Sequence, residues 1–137
     1  MQRLRHGPLV DAAGLCELWL DGGHNPAGGE AIAATVAGMA RKPTHLIVGM
    51  LNTKDIAGYL RPLAARAASL TAVSIPGEKN TLTAEDTQSA AQAAGITAAT
   101  APSVMDAVAR LAAANPGARI LICGSLYLAG SVLRENG

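Results

Sequence analysis

Two stretches of uninterrupted apolar residues, Leu46-Ile47-Val48-Gly49-Met50 and Ile120-Leu121-Ile122-Cys123, constrain the fold most. A strand with one wet face alternates apolar and polar side chains; a strand apolar at every position must be covered on both faces. These two runs therefore belong in the middle of a sheet with helices above and below it. Three further strand-like runs accompany them: Glu17 to Leu20, Leu70 to Ile75, and the short, Ala-rich Ile96 to Ala99. Helical spacing fills the intervals, with Ile32, Val36 and Met39, then Ile56, Leu60 and Leu63, then Val104, Val108 and Leu111 each at i, i+4, i+7. Such alternation is the mark of a parallel sheet built from βαβ units.

Local signals place the helix ends. Thr83 and Ser103 each precede an acid by three residues, as in a capping box with Asp in place of Glu, and Gly95 and Asn115-Pro116-Gly117 supply stops. The first segment, Gln2 to Val10, is separated from Glu17 to Leu20 only by a loop around Asp11 to Gly14, too short for a crossover helix, so it pairs antiparallel with the next strand. The expectation is a three-layer, Rossmann-like α/β domain over residues 1–137: six strands, five parallel and the first antiparallel, with helices on both faces. With 137 residues there is enough chain for one core and no sign of a second.

Composition excludes several classes of function. The net charge is +1 with the 11 basic residues dispersed, and aromatics make up 2% of the chain, so neither an electrostatic footprint nor stacking platforms for nucleic acid are present. Cys16 and Cys123 lie far apart without CxxC spacing and read as reduced thiols, and no His/Cys pattern has metal-ligand spacing. The basic start lacks an apolar segment behind it, and the apolar stretch from Ile120 to Leu133 is too short to span a bilayer; a cytoplasmic protein is expected. No GxxxxGK[ST] loop occurs, since Gly29-Glu30 follow where Lys and Ser/Thr are needed, and no GxGxxG follows a strand.

In open parallel sheets ligands gather where strands end and helices begin. Three such junctions carry polar chemistry: Asp21 to Pro26, Leu51-Asn52-Thr53-Lys54-Asp55, and Gly124-Ser125-Leu126-Tyr127. In the first, two glycines and a helix N-terminus suit an anion, with Asp21 and His24 adding a carboxylate and an imidazole. Each also has a plainer reading. Asp21 could accept turn amides while His24 sits in solvent, Asn25-Pro26 reads as N-cap and first helical residue, Lys54-Asp55 as an exposed pair or helix start, and Ser125 as an N-cap. His6 and His45 read as structural or solvated.

Taken together, the three loops resemble the C-terminal domain of the folylpolyglutamate synthase/dihydrofolate synthase family, within the Mur ligase superfamily. Leu20-Asp21-Gly22-Gly23-His24-Asn25-Pro26 is similar to its LDGAHNP motif, Val48 to Asp55 to a segment ending in Lys-Asp, and Cys123 to Gly130 to a closing GSLYLVG-like motif; Gln2-Arg3-Leu4 resembles the sequence just after the interdomain linker. The resemblance implies an ATP-dependent ligase that joins L-glutamate to dihydropteroate or folate through an acyl phosphate, with Mg²⁺ on the nucleotide. It further implies that Asp21 contacts the nucleotide, through its ribose hydroxyls, that His24 stands by the phosphates and the incoming glutamate as the catalytic candidate, and that Lys54 and Ser125 bind glutamate carboxylates. The implied partner is an N-terminal P-loop ATPase domain, absent from this chain together with the metal ligands, the folate pocket and an ATP-contacting Arg just ahead of Met1; the isolated domain would then be inactive. A noncatalytic carboxylate- or nucleotide-binding module and an atypical Rossmann-type oxidoreductase domain are the alternatives.

Overall fold

The computed structural model describes residues 1–52 and 55–137. In chain order it contains β1 (Gln2–Leu4), α1 (Pro8–Ala13), β2 (Glu17–Leu20), α2 (Pro26–Ala37), β3 (Thr44–Val48), α3 (Ile56–Leu60) running into a 3-10 turn (Arg61–Leu63), β4 (Ser69–Ala72), α4 (Ala84–Ala93), β5 (Ala98–Thr100), α5 (Val104–Ala114), β6 (Arg119–Cys123) and α6 (Leu126–Asn136). One sheet runs β1-β2-β6-β3-β4-β5, and only β1 is antiparallel to its neighbour. The expected architecture is present, with the two uninterrupted apolar runs as the adjacent central strands β6 and β3.

Alternation of side chains divides the interior into two cores. Leu18, Leu20, Ile47, Ile120 and Ile122 face α1, α5 and α6, whereas Leu46, Val48, Leu70, Leu121 and Cys123 face α2, α3 and α4. Every residue of β3 and β6 is buried. Thr83 and Ser103 cap α4 and α5, accepting from Asp86 N and Asp106 N at 3.1 Å each, as their spacing predicts.

Some boundaries depart from the sequence reading. The first strand is only Gln2–Leu4, and the segment taken as strand and loop holds a helix, α1, with Pro8 in its first turn and Leu9 and Ala13 buried. Gly7, at φ 114°, makes the sharp entry into it. The antiparallel pairing stands, because six helical residues bridge neighbouring strand ends without crossing the sheet. β3 and β4 stop before Met50 and Ile75: these residues are buried, but the backbone has left the ladder. β5 begins two residues later than expected, Ile96 packing into the core from the connection instead.

At the N-terminal ends of the strands, Arg119 ties β6 to its neighbours. Its guanidinium is 2% exposed, donates to Ala40 O at 2.8 Å and Thr44 Oγ1 at 3.2 Å, and lies 3.8 Å from Glu17 Oε1. Glu17 also accepts from Lys42 Nζ at 2.5 Å and Trp19 Nε1 at 3.0 Å. The Lys42 hydrogen bond, against the opposing effect of burial, holds the Glu17 carboxyl below its usual range. Both cysteines are free and buried. Among the described residues, no helix is long and apolar enough to cross a membrane.

Candidate functional site

Because β6 lies between β2 and β3, the loops leaving the C-terminal ends of these three strands are neighbours. The β2 loop begins with Asp21, whose N–H still donates to Ile122 O at 2.9 Å as the next rung of the ladder. Its carboxylate is fixed from two sides: Oδ2 accepts Gly23 N–H at 2.8 Å and Oδ1 pairs with the Met1 ammonium at 3.2 Å, leaving the side chain 17% exposed. His24 follows, exposed, and among the described residues no hydrogen bond restrains its ring. Asn25 caps α2 by accepting Gly28 N–H at 2.8 Å, and Pro26 opens the helix, so both do what their plainer reading predicts.

Gly23 stands where the resembled motif carries Ala. A methyl group there would come 2.8 Å from Asp21 Oδ2 and 3.4 Å from Gly28 Cα. Its φ is not left-handed, so the glycine gives the carboxylate room and not an unusual backbone turn.

The β6 loop is tighter. Gly124 has φ +113°, and a Cβ on it would lie 2.8 Å from Gly49 O, so a left-handed turn is pressed against the end of β3. That turn delivers Ser125 as the N-cap of α6, 2% exposed, with Oγ accepting Tyr127 N–H at 3.0 Å and Leu128 N–H at 3.5 Å. Both lone pairs are thereby engaged while the hydroxyl proton stays free to donate. On the β3 side, Leu51 is held by a bridge to Thr81, with Asn52 N–H donating to Asn80 O at 2.9 Å.

His24, Leu51, Gly124, Ser125, Leu126 and Tyr127 together line a cavity of about 210 Å³. Two of the predicted residues, His24 and Ser125, thus share one cavity. Asp21 stands at the root of the same loop as His24, outside the cavity lining. Lys54 lies outside the described residues; its neighbour Asp55 caps α3 by accepting Gly58 N–H at 2.9 Å. The apolar walls were the part missed by reading charges and hydroxyls: Leu126 is 66% exposed and Tyr127 57%, large apolar surfaces at a helix start beside the cavity. Their signal was available in the sequence as two bulky residues directly after Gly-Ser.

A larger hollow of about 440 Å³ lies at the opposite end of the sheet, lined by Arg41, Lys42, Arg66 and Arg119 among others. Its one buried cation, Arg119, is committed to Ala40, Thr44 and Glu17, so the hollow reads as the basic seal on the C-terminal end of α2.

Comparison with known proteins agrees with this geometry. The family model described as "Mur ligase, glutamate ligase domain" matches residues 8–126. Among solved structures, Mycobacterium tuberculosis folylpolyglutamate synthase complexed with ADP and AMPPCP is similar at 26% identity and a TM-score of 0.82, over 99% of this chain and 31% of that one. Escherichia coli FolC in complex with DHPP and ADP shares the fold at 23% identity and a TM-score of 0.77, over 97% and 30%. A bifunctional folylpolyglutamate synthase/dihydrofolate synthase with Mn, AMPPNP and L-glutamate bound shares it at 21% and 0.74, again over 97% and 30%. The chain therefore spans about a third of the length of these structures. No curated protein matches it. With the matched region covering most of the chain and the three loops meeting at one sheet edge, this chain belongs to the Mur ligase glutamate ligase domain family.

Proposed function

We propose that this chain is the C-terminal domain of an ATP-dependent ligase that adds L-glutamate to dihydropteroate or folate. The observation that carries the reading is the convergence of the β2 and β6 loops, which sets His24 and Ser125 in one cavity with Asp21 at its side. In such a ligase ATP converts the acceptor carboxylate to an acyl phosphate, and the glutamate amine displaces phosphate to leave an amide. The domain's task is positioning and charge stabilisation. Asp21, an acceptor-only carboxylate, suits the paired hydroxyls of a ribose. His24, unrestrained and exposed, suits the phosphates and the approaching amine. Ser125 retains a donor for a glutamate carboxylate, and Lys54 carries the complementary ammonium in this reading.

The missing parts belong to a partner. Sequence and family both support an N-terminal P-loop ATPase domain as the other wall of the site, with the folate pocket on its side. In this reading Mg²⁺ supplies charge stabilisation at the nucleotide phosphates, and its ligands belong to that partner domain. Residues 1–137 in this reading form one domain of that enzyme, inactive by themselves.

Titrating the isotopically labelled chain with ADP and with L-glutamate, by amide NMR, tests this. Weak saturable shifts confined to residues 20–26, 51–55 and 124–128 are expected, strengthening when a P-loop ligase domain is added. Tight binding of a nicotinamide dinucleotide, or shifts centred on the Arg41–Arg66 hollow, would overturn the proposal.

A further inference from the structure

Strand register sets a third group beneath Asp21. Leu20 pairs with Ile122 and the ladder continues through Asp21 N–H to Ile122 O, which brings Asp21 level with Cys123; on the other side Cys123 pairs with Val48. Side chains alternate along a strand, and Leu20 and Ile122 face the α1/α5/α6 core. Asp21 is thereby directed to the opposite face, where Cys123, Val48 and Tyr59 of α3 share the second core. Tyr59 is fully buried, and among the described residues its Oη has no partner in good hydrogen-bond geometry, only the weakly bonding thiol of Cys123 beside it. Burial, with the Cys123 thiol and the Asp21 carboxylate nearby, pushes the phenol well above its usual range. The same burial, opposed by the Tyr59 hydroxyl and reinforced by Asp21, pushes the Cys123 thiol up to about 12, so neither group ionises near neutral pH.

A phenolic hydroxyl buried with only a thiol, a weak partner, beside it is poorly satisfied, and a phenyl ring would fill the space without that penalty. Asp21 offers the hydroxyl a stronger acceptor, a carboxylate that accepts Gly23 N–H in this conformation and keeps further lone pairs.

We propose that Tyr59 is a positioning residue for Asp21: its hydroxyl donates to the carboxylate once the ribose of a nucleoside diphosphate draws Asp21 away from its present partners. The proposal rests on the nucleotide reading of Asp21, and adds to it a buried donor from α3 that fixes where the carboxylate stands.

The test compares ADP with 2′,3′-dideoxy-ADP, titrated into the chain and its variants, with Tm read alongside. Tyr59→Phe is expected to keep or raise Tm, to bind ADP about tenfold more weakly, as loss of a hydrogen bond to a charged group requires, and to bind the dideoxy analogue as the unaltered chain does. Tyr59→Leu, a second hydroxyl-free variant, is expected to show the same ribose-dependent loss even if its Tm falls. If Tyr59→Phe binds ADP normally while Asp21→Asn does not, or if it weakens both nucleotides alike, the Tyr59 role fails and the nucleotide reading stands. If Asp21→Asn binds ADP normally, or the unaltered chain shows no saturable response to millimolar ADP, both fail together.

Discussion

Gly124 holds the narrowest tolerance in the site. Its left-handed φ and the 2.8 Å approach of a would-be Cβ to Gly49 O mean that Gly124→Ala meets both backbone strain and a clash with main chain that cannot swing aside. We expect the substitution to lower stability by about 2–3 kcal/mol in urea denaturation and to displace Ser125 from the cavity. Ser125 itself has two functions that can be separated. Ser125→Ala should cost about 1 kcal/mol through the lost cap, and Ser125→Asn should recover most of that stability without restoring glutamate binding, measured by the same titration. His45 gives a pH signature. It is 7% exposed, its Nδ1 is 2.7 Å from Ser69 Oγ, its Nε2 is buried without a partner among the described residues, and burial holds its pKa below the usual 6.5. The folded state therefore resists a proton that the unfolded chain accepts, so stability should decline as pH falls through 6.5, and His45→Asn should flatten that decline. Glu17 acts lower on the scale: its depressed pKa contributes stability above about 4.5 that is lost on further acidification.

At the level of elements, what could be read in advance depended on whether a local pattern and the tertiary environment agreed. β2 occupies the expected range, Glu17–Leu20, and β6 is the Ile120–Cys123 run with Arg119 ahead of it, because turn residues or a polar junction end each apolar run where the ladder ends. For β3 and β4 the apolar run outlasts the pairing: Met50 and Ile75 are buried after the backbone has turned away, and hydrophobicity reports burial without reporting the ladder. α1 escaped notice since six residues are too few to display a helical period, although Gly7-Pro8 marked its start. Leu9, fully buried in this helix, checks its contribution: Leu9→Ala is expected to cost about 2–4 kcal/mol by denaturant titration, as for a core leucine and unlike a loop residue. The polar half of the site was legible because Asp, His and Ser at strand ends stand out against an apolar chain. Its apolar half, Leu51, Leu126 and Tyr127, was marked only by bulky residues directly after a polar turn, a weaker signal because the same residue types elsewhere simply fill the core. Tyr59 was hidden further still, since only the fold brings this helix residue into one core with Cys123, the strand residue level with Asp21.

For the molecule as a whole, strand order is the governing fact. β2 and β3 follow one another in sequence yet never pair; β6 enters between them and hydrogen-bonds to both. Neither face of the sheet is closed until this happens, since Ile120 and Ile122 complete one core and Leu121 and Cys123 the other. A chain ending at Pro116 should accordingly show no cooperative unfolding transition by circular dichroism, even though it retains five of the six strands.

That insertion also sets an order of events during synthesis. The Asp21 loop leaves the ribosome before β6, so the cavity shared by His24 and Ser125 cannot form until β6 has been made. Synthesis of β6 and assembly of this cavity are one and the same checkpoint.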